Sequence, residues 1–325
     1  MKDRRIAITG ANGYVGTQIV QALAREAQFI LALDIRQPAE EKRQPGVTYL
    51  ISDIRDPGLA NLLKENRIDT VVHLASIVTP GKESRREFEY SVDVDGTRNA
   101  LDACVHAGVQ QIIISSSGAA YGYHADQPDW LKESDPVRGN YEFAYSWHKR
   151  LVEEMLTEYR KSHPQLKQCV FRIGTVLGKT VNNQITALFE KRVMVAIQGS
   201  KSPFVFIWDQ DLVDIFLMAI QEKKAGIFNV AGDGALTIFE IAKRLNKPVI
   251  SIPPFVLKAA LFVLKLFGLT RYGPEQIDFL RYRPVLLNHA LKDQFGYTPK
   301  KTSADVFEYW KQSKVPATLG ASASK

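Results

Sequence analysis

The sequence predicts a doubly wound α/β fold, a parallel sheet with helices on both faces. Two observations carry this. Through the first half of the 325 residues, short apolar runs of strand length alternate with helical patterns. The first run, Ile6-Ala7-Ile8, feeds a glycine-rich loop that opens a helix. A parallel sheet built this way uses right-handed crossovers. The chain is long enough for one large core or two.

Composition narrows the class. Charged residues make up 24% and apolar ones 45%, so the protein reads as soluble and globular. The net charge of +7 is spread along the chain, without a basic block interleaved with aromatics, which argues against nucleic-acid binding. Anionic substrates or a membrane surface fit that charge. Cys104 and Cys169 form neither a disulfide framework nor a metal spacing. A reducing, cytoplasmic setting suits them. The N-terminus runs into a strand without signal-peptide features.

The first loop reads Thr9-Gly10-Ala11-Asn12-Gly13-Tyr14-Val15-Gly16. Gly10 permits a tight turn, Gly13 lets backbone approach a pyrophosphate, and Gly16 lets helix and strand pack closely. The helix N-terminus then offers free N–H groups to phosphate. The second strand, Phe29 to Leu33, ends at Asp34, 18 residues past Gly16. That position suits hydrogen bonding to an adenosine ribose, and its charge favours NAD over NADP, with Arg36 as the opposing signal. A third strand spans Val47 to Ile51, and Asp53 and Ile54 follow at its ligand side. Leu59 to Glu65 is helical, and Val71 to Ala75 is the fourth strand. His73 within it is read as a packed residue.

A helix from Phe88 to His106 leads to strand Gln111 to Ile114 and then to Ser115-Ser116-Ser117-Gly118. A hydroxyl at a strand's C-terminal end stands on the ligand side and suits a substrate oxygen. After an irregular stretch comes Tyr145-Ser146-Trp147-His148-Lys149, on a helix reaching Arg160. The Tyr145–Lys149 spacing stacks both side chains one turn apart. A neighbouring ammonium favours the phenolate, and a shift of about three units needs roughly 4 kcal/mol. Such a tyrosine is an acid/base near neutral pH; the bare spacing is equally that of a packed tyrosine beside a solvated lysine. Tyr297 and Lys301 share it, but Pro299 between them breaks a helix.

Together these residues resemble the extended short-chain dehydrogenase/reductase family, which holds NAD-dependent sugar epimerases, dehydratases and 3β-hydroxysteroid dehydrogenases. The resemblance rests on the glycine loop, Asp34, Asp53-Ile54, His73-Leu74-Ala75, Ser115 to Gly122, Tyr145/Lys149 and Arg172 with Val176-Leu177-Gly178. It implies a Rossmann-type NAD-binding domain over 1–178. A smaller C-terminal substrate-binding lobe over 179–315 returns some segments to the sheet, and 316–325 is a tail. It implies Tyr145 as acid/base, Lys149 on the nicotinamide ribose, Ser117 on the substrate oxygen, and Ser115 and Ser116 on the cofactor side with Leu74 and Ala75. No metal is implied. It also implies a homodimer through helices near 88–106 and 143–160.

Two departures stand out. Asp93 replaces the family's usual asparagine, placing a carboxylate near the proton relay. Ile173-Gly174-Thr175 lacks the proline or asparagine common after Arg172 in sugar-nucleotide enzymes. The expected activity is hydride transfer at a secondary alcohol or ketone. A hydrophobic, sterol-like alcohol and a nucleotide sugar both remain open, as do dehydrogenase, epimerase and dehydratase outcomes. The rival class is a non-catalytic dinucleotide-binding protein.

In the second half, Asp209 and Asp211 open a helix where an aspartate cap is expected, and both are read as structural. Another helix runs from Thr237 to Leu245. The apolar run 255–267 is expected to be a buried helix. Its alternatives are a lid over an apolar substrate or a peripheral membrane segment with Lys258 and Lys265 snorkelling. It is too short to span a bilayer. Arg281-Tyr282-Arg283 suits an anionic group or a solvated face.

Overall fold

A computed structural model describes residues 3–78, 85–270, 273–274 and 276–314. The predicted 316–325 tail lies outside them. The first half contains strands β1 (Arg5–Thr9), β2 (Phe29–Asp34), β3 (Val47–Ile51), β4 (Thr70–His73), β5 (Gln111–Ser117), β6 (Lys167–Ile173) and β7 (Thr175–Leu177). Its helices are α1 (Tyr14–Leu23), α2 (Leu59–Glu65), α3 (Arg86–Tyr90), α4 (Gly96–Ala107) and α5 (Ala144–Ser162). The predicted 88–106 helix is α3 and α4 joined by a π-helical turn, Ser91–Asp95.

The second half adds strands β8 (Met194–Ile197), β9 (Phe206–Trp208), β10 (Gly226–Val230) and β11 (Val249–Ile252). It also adds helices α6 (Gln184–Phe189), α7 (Asp209–Gln221), α8 (Ile238–Arg244), α9 (Pro254–Leu266), α10 (Gln276–Arg281) and α11 (Ser303–Lys314). The main sheet is parallel, in the order β10-β6-β5-β4-β1-β2-β3. β1 and β4 are neighbours although the chain passes through β2 and β3 between them. That switch point opens a crevice at their C-terminal ends.

Strand periodicity divides the core. Ile6 and Ile8 face the layer of α1 and α7, with Ile19, Phe171 and Phe216. Ala7 faces the other layer, with Leu63, Leu101, Val152 and Leu156 from α2, α4 and α5. Each fully buried isoleucine contributes about 1.5–3 kcal/mol over leaving it exposed. β10 and α7 belong to this sheet domain although they come from the second half. A separate cluster around Phe189, Phe206, Phe307 and Trp310 packs β7, β8 and β9 against α8 and α11.

Two second-half expectations change. Asp209 and Asp211 lie inside the first turn of α7, and its N-cap is Trp208 with no side-chain cap bond. Their structural reading fits: Asp209 accepts the Tyr14 hydroxyl at 2.5 Å, and Asp211 accepts from Tyr297 and the Lys300 amide. The 255–267 segment is helical, but no residue of α9 is buried. Pro253 and Pro254 launch it from β11. A Lys258–Asp278 ion pair of 3.0 Å ties it to α10, leaving its far side open.

Candidate active site

The glycine loop fills the crevice between β1 and β4. Gly10 has φ +69°, and a Cβ there would stand 2.8 Å from the Ala75 amide nitrogen. A Cβ on Gly16 would stand 2.4 Å from the Gly10 carbonyl oxygen, so no side chain fits between helix and loop. α1 starts at Tyr14 with no side-chain cap and no acidic residue in its first turn, so its positive end faces the crevice. Asp34 accepts the amides of Asn12 at 3.0 Å and Arg36 at 3.3 Å, which fixes its carboxylate beside the loop. Arg55 grips Asp53 at 2.6 Å and holds that carboxyl below the usual range.

Two cavities meet at this loop. One, of about 660 Å³, runs along Asn12, Asp34, Asp53, Ile54, Leu74 and Ala75. The other, of about 420 Å³, takes in Tyr14, Val15, Gly16, Ser115, Ser117, Tyr145 and Lys149. Gly10 and Gly13 line both. Every predicted cofactor-side residue therefore lines one of the two.

Tyr145, Ser117 and Lys149 come together in the smaller cavity. Ser117 hydrogen-bonds the Tyr145 phenol, and its Oγ accepts the Ala119 amide at 3.1 Å. Lys149 Nζ donates to the Ser115 carbonyl at 3.0 Å and lies 5.6 Å from the Tyr145 ring centre. Ser116 behaves differently: its hydroxyl donates to Glu153 at 2.6 Å, in a buried cluster with Arg172. Alternation along β5 explains why its hydroxyl is taken by α5 and not by the cofactor.

The expected lowering of Tyr145 by Lys149 is not found. Burial pushes the phenol up to about 12; the Ser117 hydrogen bond opposes this and the Asp93 charge adds to it. Lys149 is itself lowered by burial, against Asp93 and Glu153. Spacing set the two side chains on one face, but the ammonium is anchored to a carbonyl rather than to the phenol oxygen.

Asp93 lines neither cavity. Its Oδ1 accepts Ser76 Oγ at 2.9 Å and the Ile77 amide at 2.8 Å, and its Oδ2 lies 3.1 Å from His148 Nδ1. Burial raises its pKa, but His148, the Lys149 charge and these bonds outweigh that and lower it. The carboxylate thus ties the loop after β4 to α5. His73 sits between Thr9 and Thr97 hydroxyls at 2.8 and 3.0 Å. Burial and the Lys149 charge push it down to about 3, so it is the neutral packed residue expected.

The sequence left Arg283, on the far wall, open between meeting an anionic group and standing on a solvated face. Arg283 lines the smaller cavity with its guanidinium carbon 4.1 Å from the Phe204 ring centre. It has no carboxylate partner among the described residues, and burial lowers its pKa. Arg281 instead offers its carbonyl to Ser200 at 2.9 Å. Phe279 of α10 packs on Phe143 at 4.9 Å and on Tyr123 at 5.3 Å. The Arg-Tyr-Arg run was the one available signal.

The model of the NAD dependent epimerase/dehydratase family matches residues 6–231. The chain belongs to this family.

Among its relatives, UDP-glucose 4-epimerase from Erwinia amylovora is 30% identical over 190 residues, 55% of this chain and 56% of that one. The fold superposes on UDP-glucose 4-epimerase with UDP-glucose from Thermotoga maritima at TM-score 0.73 and 18% identity, covering 95% and 99% of the two chains. It also superposes on the Bordetella bronchiseptica enzyme WbmG in complex with NAD and UDP, again at 0.73 and 18%, covering 96% and 94%. The family is NAD-dependent, and the crevice of this member suits that cofactor. The Gly10–Gly16 approach that a Cβ would fill, the open α1 N-terminus and the fixed Asp34 carboxylate match a pyrophosphate and a ribose. When bound, NAD accepts or returns the hydride.

Proposed function

We propose that the protein works on a secondary alcohol or its ketone carried by an anionic small molecule, with a nucleotide sugar as the leading substrate class. The carrying observation is the meeting of Ser117, Tyr145 and Lys149 in a cavity also lined by Arg283, which has no carboxylate partner among the described residues. Ser117 holds the substrate oxygen. Tyr145 takes or returns its proton. Lys149 supplies positive charge and binds a ribose hydroxyl. Arg283 receives the substrate's phosphate or carboxylate, a charge-assisted pair for a half-buried guanidinium. The domain division, 1–178 for cofactor and 179–315 for substrate, belongs to this reading, with β10 and α7 returning to the first. So do cytoplasmic location, a homodimer and peripheral membrane contact through 255–267. Exposed Phe88, Tyr90 and Tyr141 on the α3 and α5 side support the dimer.

A second reading, a hydrophobic alcohol, has an observation of its own: Phe143, Tyr123 and Val205 give the cavity apolar walls. Denaturing the purified protein and assaying released nicotinamide, then screening UDP-sugars and sterols for turnover, separates the two. Retained NAD with sugar interconversion and no net NADH supports an epimerase; NADH from an apolar alcohol supports the second reading. Tyr145→Phe is expected to lower kcat about 10²- to 10⁴-fold with NAD binding intact. Full activity in that variant sinks the assignment of Tyr145.

A further inference from the structure

The polarity of α9 is inverted. Lys258 and Lys265 are seven residues apart, about two turns, so they share one face. The half-buried residues Leu257, Lys258 and Leu261 mark the inward side, where Lys258 pairs with Asp278 of α10, while Lys265 lies exposed. The opposite face carries Val256, Val263 and Phe267, which are 43%, 48% and 71% exposed. No acidic residue occurs anywhere in the helix. A helix on a soluble surface normally does the reverse, and a contiguous apolar patch marks an interaction site.

A second exposed apolar pair lies on the strand that launches α9. β11 pairs with β8 in parallel, and Ile250 stands opposite Val195. Both are more than half exposed. Lys191 and Arg192 precede β8 and Lys201 follows it; all three are exposed and have no carboxylate partner among the described residues. The surface is therefore apolar, edged by unpaired cations, on a chain of net charge +7.

We infer that α9 and the outer face of β8–β11 seat the protein on an anionic lipid surface. This rests on the peripheral contact proposed above and is independent of the chemistry at Tyr145. An interfacial helix lies in the plane of the bilayer surface with its apolar face about 5–10 Å deep, and cations around it add attraction to anionic headgroups. A second copy is a poorer occupant. A helix of this length offers a strip of roughly 20 Å by 10 Å, and doubling it with the strand face stays well under the ~800 Å² per partner of a standard interface. Docking also brings the lipid close to the active-site wall. α10 carries Asp278 toward α9 and Phe279 toward Phe143, whose ring lies 6.2 Å from that of Tyr145.

The test is flotation of the full chain with vesicles of phosphatidylcholine alone or mixed with phosphatidylglycerol. Wild type is expected to float with the mixed vesicles and to release at high salt. Val263→Glu/Phe267→Glu is expected to cut flotation about tenfold or more without changing the melting temperature, because both side chains stand in solvent. Lys191→Glu/Arg192→Glu is expected to abolish the preference for phosphatidylglycerol. Absence of flotation in wild type overturns both the inference and the peripheral contact. Equal, salt-insensitive flotation on phosphatidylcholine alone overturns the anionic assignment only. A dimer by sedimentation that Val263→Glu/Phe267→Glu dissociates identifies a second copy as the occupant and overturns the inference. NAD binding, measured in every variant, stays unchanged if the cofactor reading is right, whatever the vesicles do.

Discussion

Replacing Glu153 with alanine strikes the joint between the serine strand and the tyrosine helix. Glu153 lies on α5, eight residues past Tyr145. It accepts Ser116 Oγ at 2.6 Å, Arg172 Nε at 2.9 Å on each oxygen and Arg172 Nη2 at 2.5 Å. Both charged residues are about 95% buried. Alanine leaves Arg172 charged and desolvated, held among the described residues by the Tyr121 hydroxyl and the Glu133 carbonyl. Removing one partner of a buried pair costs about 3–5 kcal/mol. With an unfolding entropy of about 2.1 cal/mol/K per residue, a chain of this length loses about 1.5 °C per kcal/mol, so the melting temperature drops by about 4–7 °C. Differential scanning calorimetry measures it. Glu153→Met with Arg172→Met removes both charges and is expected to recover most of the loss. Activity should fall in the single variant, because Ser117 follows Ser116 on β5. The reasoning is refuted if Glu153→Ala melts within about 1.5 °C of wild type, or if the double replacement is as unstable as the sum of the singles.

Gly16→Ala forces a Cβ against the Gly10 carbonyl oxygen and the Ala11 backbone; it should cost about 1–3 kcal/mol and weaken NAD binding measured by fluorescence titration. Arg283→Met should raise KM for an anionic substrate at least about tenfold, while kcat falls less, because it removes binding shared by ground and transition states. Asp93→Asn probes acid stability: the folded carboxyl lies below its usual value, so its contribution is present above about pH 4 and is lost as pH falls through the lower folded value. Denaturation at falling pH should therefore weaken wild type more steeply than the asparagine variant.

What the sequence made legible was local. The strand, glycine loop and helix from Ile6 to Val20 follow from short-range rules, and so does the Asp34 strand end. Ser117 and Ser115 share a face because a strand alternates, which also turns the Ser116 hydroxyl toward Glu153. Contacts between distant segments were hidden. Arg283 became a cavity residue only because α10 packs Phe279 on Phe143, far earlier in the chain. The 255–267 helix was misjudged for a related reason. Hydropathy counts carbon along a helix but does not say whether another element lies across it, and Lys258 gave no sign that its partner is Asp278.

Tyr145 shows what spacing leaves out. Bringing a phenol from about 12 to neutral pH takes five units, about 7 kcal/mol. The Lys149 ammonium already stands 5.6 Å from the ring centre in that state, so its field is part of that value and no further gain. Asp93 works in the opposite direction, and Lys149 is committed to the Ser115 carbonyl. The protein's own groups therefore keep the phenol protonated, a good donor to a ketone oxygen and a poor base. The stabilisation of the phenolate must arrive as positive charge or donated hydrogen bonds with the ligands, or through movement of Lys149 toward the phenol. The same burial that raises the pKa strengthens those additions, because less water screens them. In the proposed reading, acid/base chemistry at Tyr145 is thus tied to occupation of the cleft, and the glycine loop and Arg283, assigned there to bringing the ligands in, are as much a part of it as Lys149.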